Sequence, residues 1–258
     1  TRKIWIVIDS ELPNLTSLSD QLRAKVSFVL HRDIFNEFSS FLPTFNSLAI
    51  ESMIWRIEGL SERFMYFNDD VFLSAPLLPT DVFQGSLPLL RGEWVDYSEL
   101  LCQSATRVNQ AKFNHFMQIN AARMAGFDAQ RLFASAHVVH PMKRSVMAEL
   151  FDQDRDAFIE NIKYRFRDLR QFLPQGLHNH TCIAAEKAVV HTKDDHLHIV
   201  SGQGVGCSPA ETLALLERAN SPEIKFLCVN DLPQLETVIP QAREWLRGVV
   251  GGFTIRSP

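Results

Sequence analysis

The decisive segment of the sequence is Arg63-Phe64-Met65-Tyr66-Phe67-Asn68-Asp69-Asp70. Its apolar, aromatic run predicts a strand buried in a sheet, and the run stops abruptly at an amide and two carboxylates. In open α/β sheets, ligands bind where such strands end. The stretch therefore predicts a sheet and, at the edge of that sheet, a polar site.

Three other segments repeat the pattern of an apolar run closed by polar residues, and they are residues 3–8, 25–30 and 225–229. Ahead of the decisive stretch, apolar residues recur three and four positions apart over residues 45–57, which predicts a helix. Strands and a helix in this order, with polar residues at the strand tips, indicate the α/β class with an open sheet.

The middle of the chain is predicted to be mainly helical, with helices over residues 108–124, 142–151 and 155–165. We therefore predict one domain over residues 1–258 with a largely helical insertion over 108–188. Two short alternating runs around a charged turn predict a hairpin over 189–200. Its histidines His191, His196 and His198 are expected to be exposed strand residues. Closing helices are predicted over 208–219, which starts with a capping box, and over 241–249.

Composition excludes several classes of protein. With 46% apolar residues the chain can bury a full core, so it is neither disordered nor a coiled coil. A net charge of -4 lacks the cationic excess of nucleic-acid binders. No apolar run approaches the roughly 20 residues that cross a bilayer, so no transmembrane segment is predicted. Four cysteines without paired spacing indicate neither a disulfide framework nor a zinc ribbon.

Asp69 and Asp70 are the first candidate site. Two adjacent carboxylates repel each other unless a cation sits beside them. Mg²⁺ or Mn²⁺ prefers such oxygen ligands and would in turn hold a diphosphate. The alternative is a solvated turn after a strand, because Asn and Asp are common turn residues.

His137 and His140 are the second candidate site. Three positions apart, they would share one face of a helical turn. No H-E-x-x-H motif follows, and no cysteine or third histidine stands at a helpful local spacing, so a general base is a better hypothesis than zinc. Structural histidines in a polar niche remain the alternative.

Arg165 and Arg167 are the third candidate site. At alternate positions of an extended segment, two arginines point the same way and can grip a phosphate in bidentate fashion. The alternative is a solvated helix end.

Several ordered stretches together resemble the Stealth family. Its second conserved region is resembled by residues 42–47 (LPTFNS), 49–52 (AIES), 56–61 (RIEGLS) and 67–70 (FNDD). Its third region is resembled by residues 136–140 (AHVVH) and 146–150 (VMAEL), and its fourth by 225–231 (KFLCVND). The family contains bacterial capsular polysaccharide hexose-1-phosphate transferases and the catalytic subunit of the animal N-acetylglucosamine-1-phosphotransferase.

The resemblance implies a catalytic domain with a Rossmann-like, GT-A-like sheet. It implies transfer of a hexose-1-phosphate from a UDP-N-acetylhexosamine donor to a hydroxyl of a growing polysaccharide, with UMP released and a phosphodiester formed. A cytoplasmic location is expected, at the inner face of the bacterial inner membrane beside membrane-bound export machinery. The family's first conserved region has no counterpart ahead of Thr1, so we expect an incomplete donor pocket in this chain.

Roles follow from the resemblance position by position. Asp69 and Asp70 are implied to bind the metal and the diphosphate, His137 to be catalytic, and Arg165 or Arg167 to bind phosphate. Further substrate contacts are implied for Asn46, Ser61, Asn68, His140 and Asn230. Two rivals stay open: a conventional metal-dependent glycosyltransferase that uses the same acidic pair, and a carbohydrate-binding module without catalysis.

Overall fold

A computed structural model describes residues 2–102, 113–191, 194–200 and 208–251. The chain forms two compact units, and each is described by itself. Unit 1 consists of Thr1–Phe64, Glu93–Ala134 and Met142–Lys187, and unit 2 of Met65–Gly92, Ser135–Pro141 and Ala188–Pro258. The predicted catalytic domain with its insertion over 108–188 is a functional assignment and stays a prediction.

The described strands are β1 Ile4–Ile8, β2 Val26–Leu30, β3 Arg63–Tyr66, β4 Val71–Leu73, β5 Phe83–Gln84, β6 Leu87–Val95, β7 Leu132–Ser135, β8 His140–Lys143, β9 Val189–His191, β10 His196–Ile199 and β11 Phe226–Val229. The described α-helices are α1 Asp20–Arg23, α2 His31–Phe35, α3 Ser47–Glu51, α4 Phe113–Met124, α5 Arg144–Gln153, α6 Arg155–Ile162, α7 Pro174–Ala184, α8 Pro209–Ala219, α9 Leu232–Val238 and α10 Ala242–Val249. Short 3₁₀ turns cover Asn36–Phe41, Ile54–Arg56, Pro79–Asp81 and Ser98–Cys102.

The α/β class is confirmed, but the described strands form several small sheets rather than one open sheet. β1 pairs with β2, β3 with β8, and β11 lies between β10 and β4. The fourth sheet runs β5-β6-β7, with β9 beside β6. Apolar runs identify strands because burial favours them, yet they carry no information on which strand lies beside which.

Unit 1 begins with the parallel pair β1 and β2, and its core is largely helical. The helix predicted over 45–57 is broken, since α3 ends at Glu51 and a 3₁₀ turn follows before Gly59, whose φ of 78° suits a residue without a side chain. The helices predicted over 142–151 and 155–165 begin and end differently, because residues 142 and 143 belong to β8 and α6 stops at Ile162. Of the helix predicted over 108–124, residues 108–112 lie outside the described part of the chain.

Unit 2 holds the sheet that carries the candidate site. β10 and β11 are parallel, with His196 opposite Phe226 and Ile199 opposite Val229, and β4 runs antiparallel to β11. The helices α8, α9 and α10 pack against this sheet through Leu216, Leu235 and Leu246, which share one buried cluster with the strand residues Leu197, Ile199, Leu227 and Val229. The predicted capping box is confirmed, because Ser208 Oγ accepts from the Glu211 N–H and Glu211 Oε2 accepts from the Ser208 N–H.

The predicted hairpin over 189–200 is wrong. Both strands exist, but β9 pairs in parallel with β6 and β10 pairs in parallel with β11. A buried ion pair fixes this arrangement, since Arg91 of β6 donates from Nε and Nη2 to the carboxylate of Asp195 at 2.8 and 2.7 Å. Removing one partner would leave a buried charge unpaired, which typically costs about 3–5 kcal/mol.

Within the described ranges, no helix combines the length and the hydropathy that crossing a bilayer requires.

Candidate active site

The carboxyl ends of β10 and β11 meet at one edge of the unit 2 sheet, and polar residues collect there. Asn230 directly follows β11, and His198 is the penultimate residue of β10, opposite Cys228. Asp70 directly precedes β4, and its carbonyl accepts the Val229 N–H at 2.9 Å. That backbone bond brings the end of the decisive stretch to the edge where parallel sheets bind ligands.

Asp70 is the centre of the cluster. Its Oδ2 accepts from Asn230 Nδ2 at 2.5 Å and lies 3.2 Å from His137 Nε2. One carboxylate oxygen thus joins three chain segments that are far apart in the sequence. Asp69, the neighbouring carboxylate, is exposed.

The protonation of this pair follows from its contacts. Desolvation raises the pKa of Asp70, but the hydrogen bond and the charge of His137 outweigh it, and the pKa lies below its ordinary value. Asp70 is therefore ionised at neutral pH and can only accept hydrogen bonds. In the neutral form of His137, a hydrogen on Nε2 can donate to this carboxylate, and the lone pair is then on Nδ1.

His198 belongs to the cluster although sequence reasoning missed it. Its Nε2 hydrogen-bonds Asn230 Oδ1, and its ring centroid lies 5.5 Å from that of His137. Desolvation and the charge of His137 lower the pKa of His198 against the opposing effects of Asn230 and Asp70. The side chain is exposed, as predicted, but only the register of β10 against β11 reveals that it contacts Asn230.

Cys228 was also missed as a site residue. It is fully buried, and its Sγ lies 3.8 Å from Asn230 Oδ1. Desolvation, followed by the negative charge of Asp70, raises the pKa of the Cys228 thiol. Ligand atoms of Asp70, His137 and Cys228 all lie within 4.8 Å of one another.

The oxygen atoms of the site suit the predicted Mg²⁺ or Mn²⁺. Oδ1 of Asp70 and Oδ1 of Asn68 are buried and have no hydrogen-bond partner within the described part of the chain. Buried polar atoms without a partner are rare, because each costs about 1–3 kcal/mol. Carboxylate and amide oxygens are the ligand types that a hard divalent cation prefers, and the metal at Asp69 and Asp70 stays a prediction.

His140 lies in a buried, aromatic environment. The helical turn considered for the histidine pair is wrong, because residues 136–139 contain no helix and His140 begins β8. The His140 ring is buried and stacks on Tyr66 with centroids 6.3 Å apart. The predicted substrate contact of His140 stays a prediction.

Asn46 and Ser61 belong to unit 1. Asn46 is fully buried, and its Nδ2 donates to the Tyr164 carbonyl at 3.0 Å and to Gln171 Oε1 at 2.8 Å. Ser61 is exposed and its Oγ accepts from Arg2 Nη2 at 3.4 Å. Asn46 therefore links segments of unit 1 that are far apart in the sequence. The substrate contacts predicted for Asn46 and Ser61 stay predictions.

Arg165 and Arg167 also belong to unit 1, and both are exposed in a segment that is neither helix nor strand. The solvated helix end considered for them is wrong, since α6 ends at Ile162. The Arg165 guanidinium lies 5.3 Å from the ring centroid of Phe45, and Arg167 Nη2 donates to Ser47 Oγ at 3.1 Å. Phosphate binding by Arg165 and Arg167 stays a prediction.

Comparison with known proteins confirms the resemblance. Residues 1–88 match the Stealth protein CR2, conserved region 2. The chain is 30% identical over 191 residues, 64% of its length, to an exopolysaccharide phosphotransferase cps2G of Lactiplantibacillus plantarum. It is 26% identical over its whole length to an exopolysaccharide phosphotransferase of Nocardia farcinica. Over 85 residues, 33% of the chain, it is 45% identical to the mouse (Mus musculus) N-acetylglucosamine-1-phosphotransferase subunits alpha/beta.

The chain spans only part of these relatives. It covers 54% of the Lactiplantibacillus protein, 49% of the Nocardia protein and 7% of the mouse protein.

Proposed function

From the Stealth conserved region that the chain carries, we propose that it is the catalytic part of a hexose-1-phosphate transferase of capsular polysaccharide synthesis. The donor is a UDP-N-acetylhexosamine, and the acceptor is a hydroxyl of the growing polysaccharide. The products are UMP and a chain extended through a phosphodiester. The names of the bacterial relatives, which are phosphotransferases of exopolysaccharide, support this class of reaction.

One observation carries the proposal: the ionised Asp70 holds His137 by Nε2 at the carboxyl ends of two parallel strands. A carboxylate that fixes the tautomer of a histidine is how hydrolases prepare a general base. His137 Nδ1 would accept the proton of the acceptor hydroxyl while the oxygen attacks the phosphorus that bears the sugar. The phosphorus–oxygen bond to UMP breaks, and UMP leaves. A positioned base typically contributes about 10²–10⁴-fold.

The other residues of the site would bind the metal ion and neutralise the negative charge of the phosphate groups. Asp69 and Asp70, with the oxygen of Asn68, would hold Mg²⁺ or Mn²⁺, which supplies positive charge to the diphosphate when it is bound. Asn230 donates a hydrogen bond to Oδ2 of Asp70, the same carboxylate oxygen that faces His137. By resemblance, Arg165 or Arg167 would neutralise the transferred phosphate, with Ser61, Asn46 and His140 as further substrate contacts.

The finer features implied by the resemblance form part of the same proposal. They are a Rossmann-like, GT-A-like arrangement of the catalytic sheet and a cytoplasmic location at the inner face of the bacterial inner membrane. Association with membrane-bound export machinery would place the polysaccharide product where it leaves the cell.

The test is incubation of the purified protein with a panel of UDP-sugars, acceptor oligosaccharide and Mg²⁺. We expect release of UMP and a phosphodiester signal in the phosphorus NMR spectrum of the product. Release of UDP with a plain glycosidic product would establish the glycosyltransferase instead. Saccharide binding without release of any nucleotide would establish the non-catalytic module.

A further inference from the structure

A nitrogen and a sulfur ligand face the same carboxylate in unit 2. His137 Nε2 lies 3.2 Å from Asp70 Oδ2, and the ligand atoms of Asp70, His137 and Cys228 are all within 4.8 Å of one another. Sequence spacing disfavours zinc at the pair His137 and His140. The fold supplies a sulfur ligand that local spacing does not, because β11 brings the thiol of Cys228 to the loop that carries His137.

We propose that Asp70, His137 and Cys228 form a binding site for a thiophilic divalent cation such as Zn²⁺, Co²⁺ or Cd²⁺. Carboxylate, imidazole and thiolate are the three ligand types that zinc takes in proteins, at about 2.0–2.3 Å from the ion. Ligand atoms on one tetrahedral ion then lie roughly 3–4 Å apart, so small side-chain shifts convert the observed cluster into a site. A water molecule would complete the coordination.

The buried oxygen of Asp70 favours a bound cation. Its Oδ1 has no hydrogen-bond partner within the described residues, although the atom is buried. A bound cation would satisfy that oxygen. Binding also replaces the sulfur–hydrogen bond of Cys228 with a sulfur–metal bond, and that proton leaves to solvent. The hydrogen of His137 moves from Nε2 to Nδ1, so that the lone pair of Nε2 binds the ion.

The two classes of cation would use the cluster differently. Mg²⁺ takes oxygen ligands and leaves the imidazole and the thiol alone. A thiophilic ion engages His137, the proposed base, and divalent transition metals bind nitrogen and sulfur ligands far more tightly than Mg²⁺ does. Thiophilic cations that occupy the site would therefore inhibit the transfer reaction, a consequence that rests on the proposed function.

The test uses Co²⁺ as a spectroscopic probe of the metal-free protein. A thiolate bound to Co²⁺ gives a charge-transfer absorption in the near ultraviolet, which oxygen and nitrogen ligands do not give. We expect this band to saturate at one equivalent of Co²⁺ and to disappear when Zn²⁺ is added. It should be lost in Cys228→Ser.

Cys182→Ser is the matched control. Cys182 is also buried beside a histidine, with Sγ 3.7 Å from His178 Nε2, but that nitrogen already accepts the Lys143 N–H. We expect the band to persist in Cys182→Ser, as in Cys102→Ser. A wild-type protein without the band, or a band that survives in Cys228→Ser, overturns the proposal.

A second variant covers the case in which Cys228→Ser does not fold. His137 is partly exposed, so His137→Gln should fold, keep the thiolate band and bind Co²⁺ at least about tenfold more weakly. Unchanged affinity would refute the site. Failure of the Co²⁺ experiment leaves the transfer reaction untouched, because UMP release with Mg²⁺ is measured separately.

Discussion

Two pairs of histidines in this protein differ in burial and in hydrogen-bond partners. In unit 2, His137 and His198 lie at a sheet edge and contact the polar side chains of Asp70 and Asn230. In unit 1, His178 and His180 are fully buried in α7. Hydrogen-bond partners and burial, rather than residue type, therefore decide whether a histidine can exchange protons with a substrate.

Both histidines of the buried pair form hydrogen bonds with backbone groups. His178 Nε2 accepts the Lys143 N–H and His180 Nε2 accepts the Phe133 N–H, both at 3.0 Å. His180 Nδ1 donates to the Gly176 carbonyl at 2.7 Å, so both nitrogens of its ring are occupied. Such histidines join α7 to β8 and β7 and must stay neutral, whereas His137 keeps Nδ1 for proton transfer.

The largest expected effect is that of Asp70→Asn. This change removes the charge that orients His137 and a ligand of the proposed Mg²⁺, so turnover should fall by about 10⁴-fold or more. The measurement is UMP release from a UDP-sugar in the presence of acceptor. Glu223→Gln, at an exposed position of the same unit, is the control and should stay near wild type. An Asp70→Asn enzyme with more than a tenth of wild-type turnover would contradict the role of Asp70.

His137→Gln should lower turnover by about 10²–10³-fold, because only the base is lost while the charges that bind the diphosphate remain. The Michaelis constant for the donor should change little, since His137 acts on the acceptor proton. Steady-state kinetics with both substrates varied separate these effects. A raised donor constant with unchanged turnover would assign His137 to binding instead.

Acid should destabilise the protein through the buried pair. Desolvation lowers the pKa of His178 to about 4, from an ordinary value of 6.5. The unfolded chain therefore takes up this proton first, and the stability contributed above pH 6.5 is lost as the pH falls from about 6.5 to about 4. The shift corresponds to about 3 kcal/mol. Urea unfolding at several pH values measures the loss, and His178→Gln should flatten the profile. An equally steep profile in that variant would contradict the assignment.

The smallest expected effects separate the two pairs by stability at neutral pH. His178→Gln leaves the partly buried Lys143 N–H poorly satisfied, which should lower the free energy of unfolding by about 2 kcal/mol. His137→Gln, at a partly exposed position, should change it by less than about 0.5 kcal/mol. Thermal or urea unfolding of both variants checks the contrast. Equal losses would show that His137 is as structural as His178.

Much of this fold can be predicted from the sequence. Apolar runs located β1, β2, β3 and β11, although only β11 is buried along its whole length. Partners could not be predicted, since an alternating run over 189–200 fits a hairpin as well as two strands in different sheets. The bond that pairs Arg91 with Asp195 joins residues 104 positions apart and has no local signature.

The candidate site, like the fold, could be predicted from the sequence only in part. Chemistry and resemblance together named Asp70, His137 and Asn230, which the fold brings into contact. His198 and Cys228 were missed, because only the register of two strands brings them to the same edge. That Asp70 rather than Asp69 holds the contacts follows from the backbone bond to Val229, which no side-chain pattern reveals.

Chemical rescue of His137→Gly measures whether Asp70 prepares His137 to take the acceptor proton. Removing the side chain leaves a space beside Asp70 that free imidazole can fill. We predict that added imidazole restores acceptor-dependent UMP release in His137→Gly, in a saturable manner, and restores nothing in the double variant that also carries Asp70→Asn. Full activity of His137→Gly without imidazole, or equal rescue in both variants, would contradict the claim.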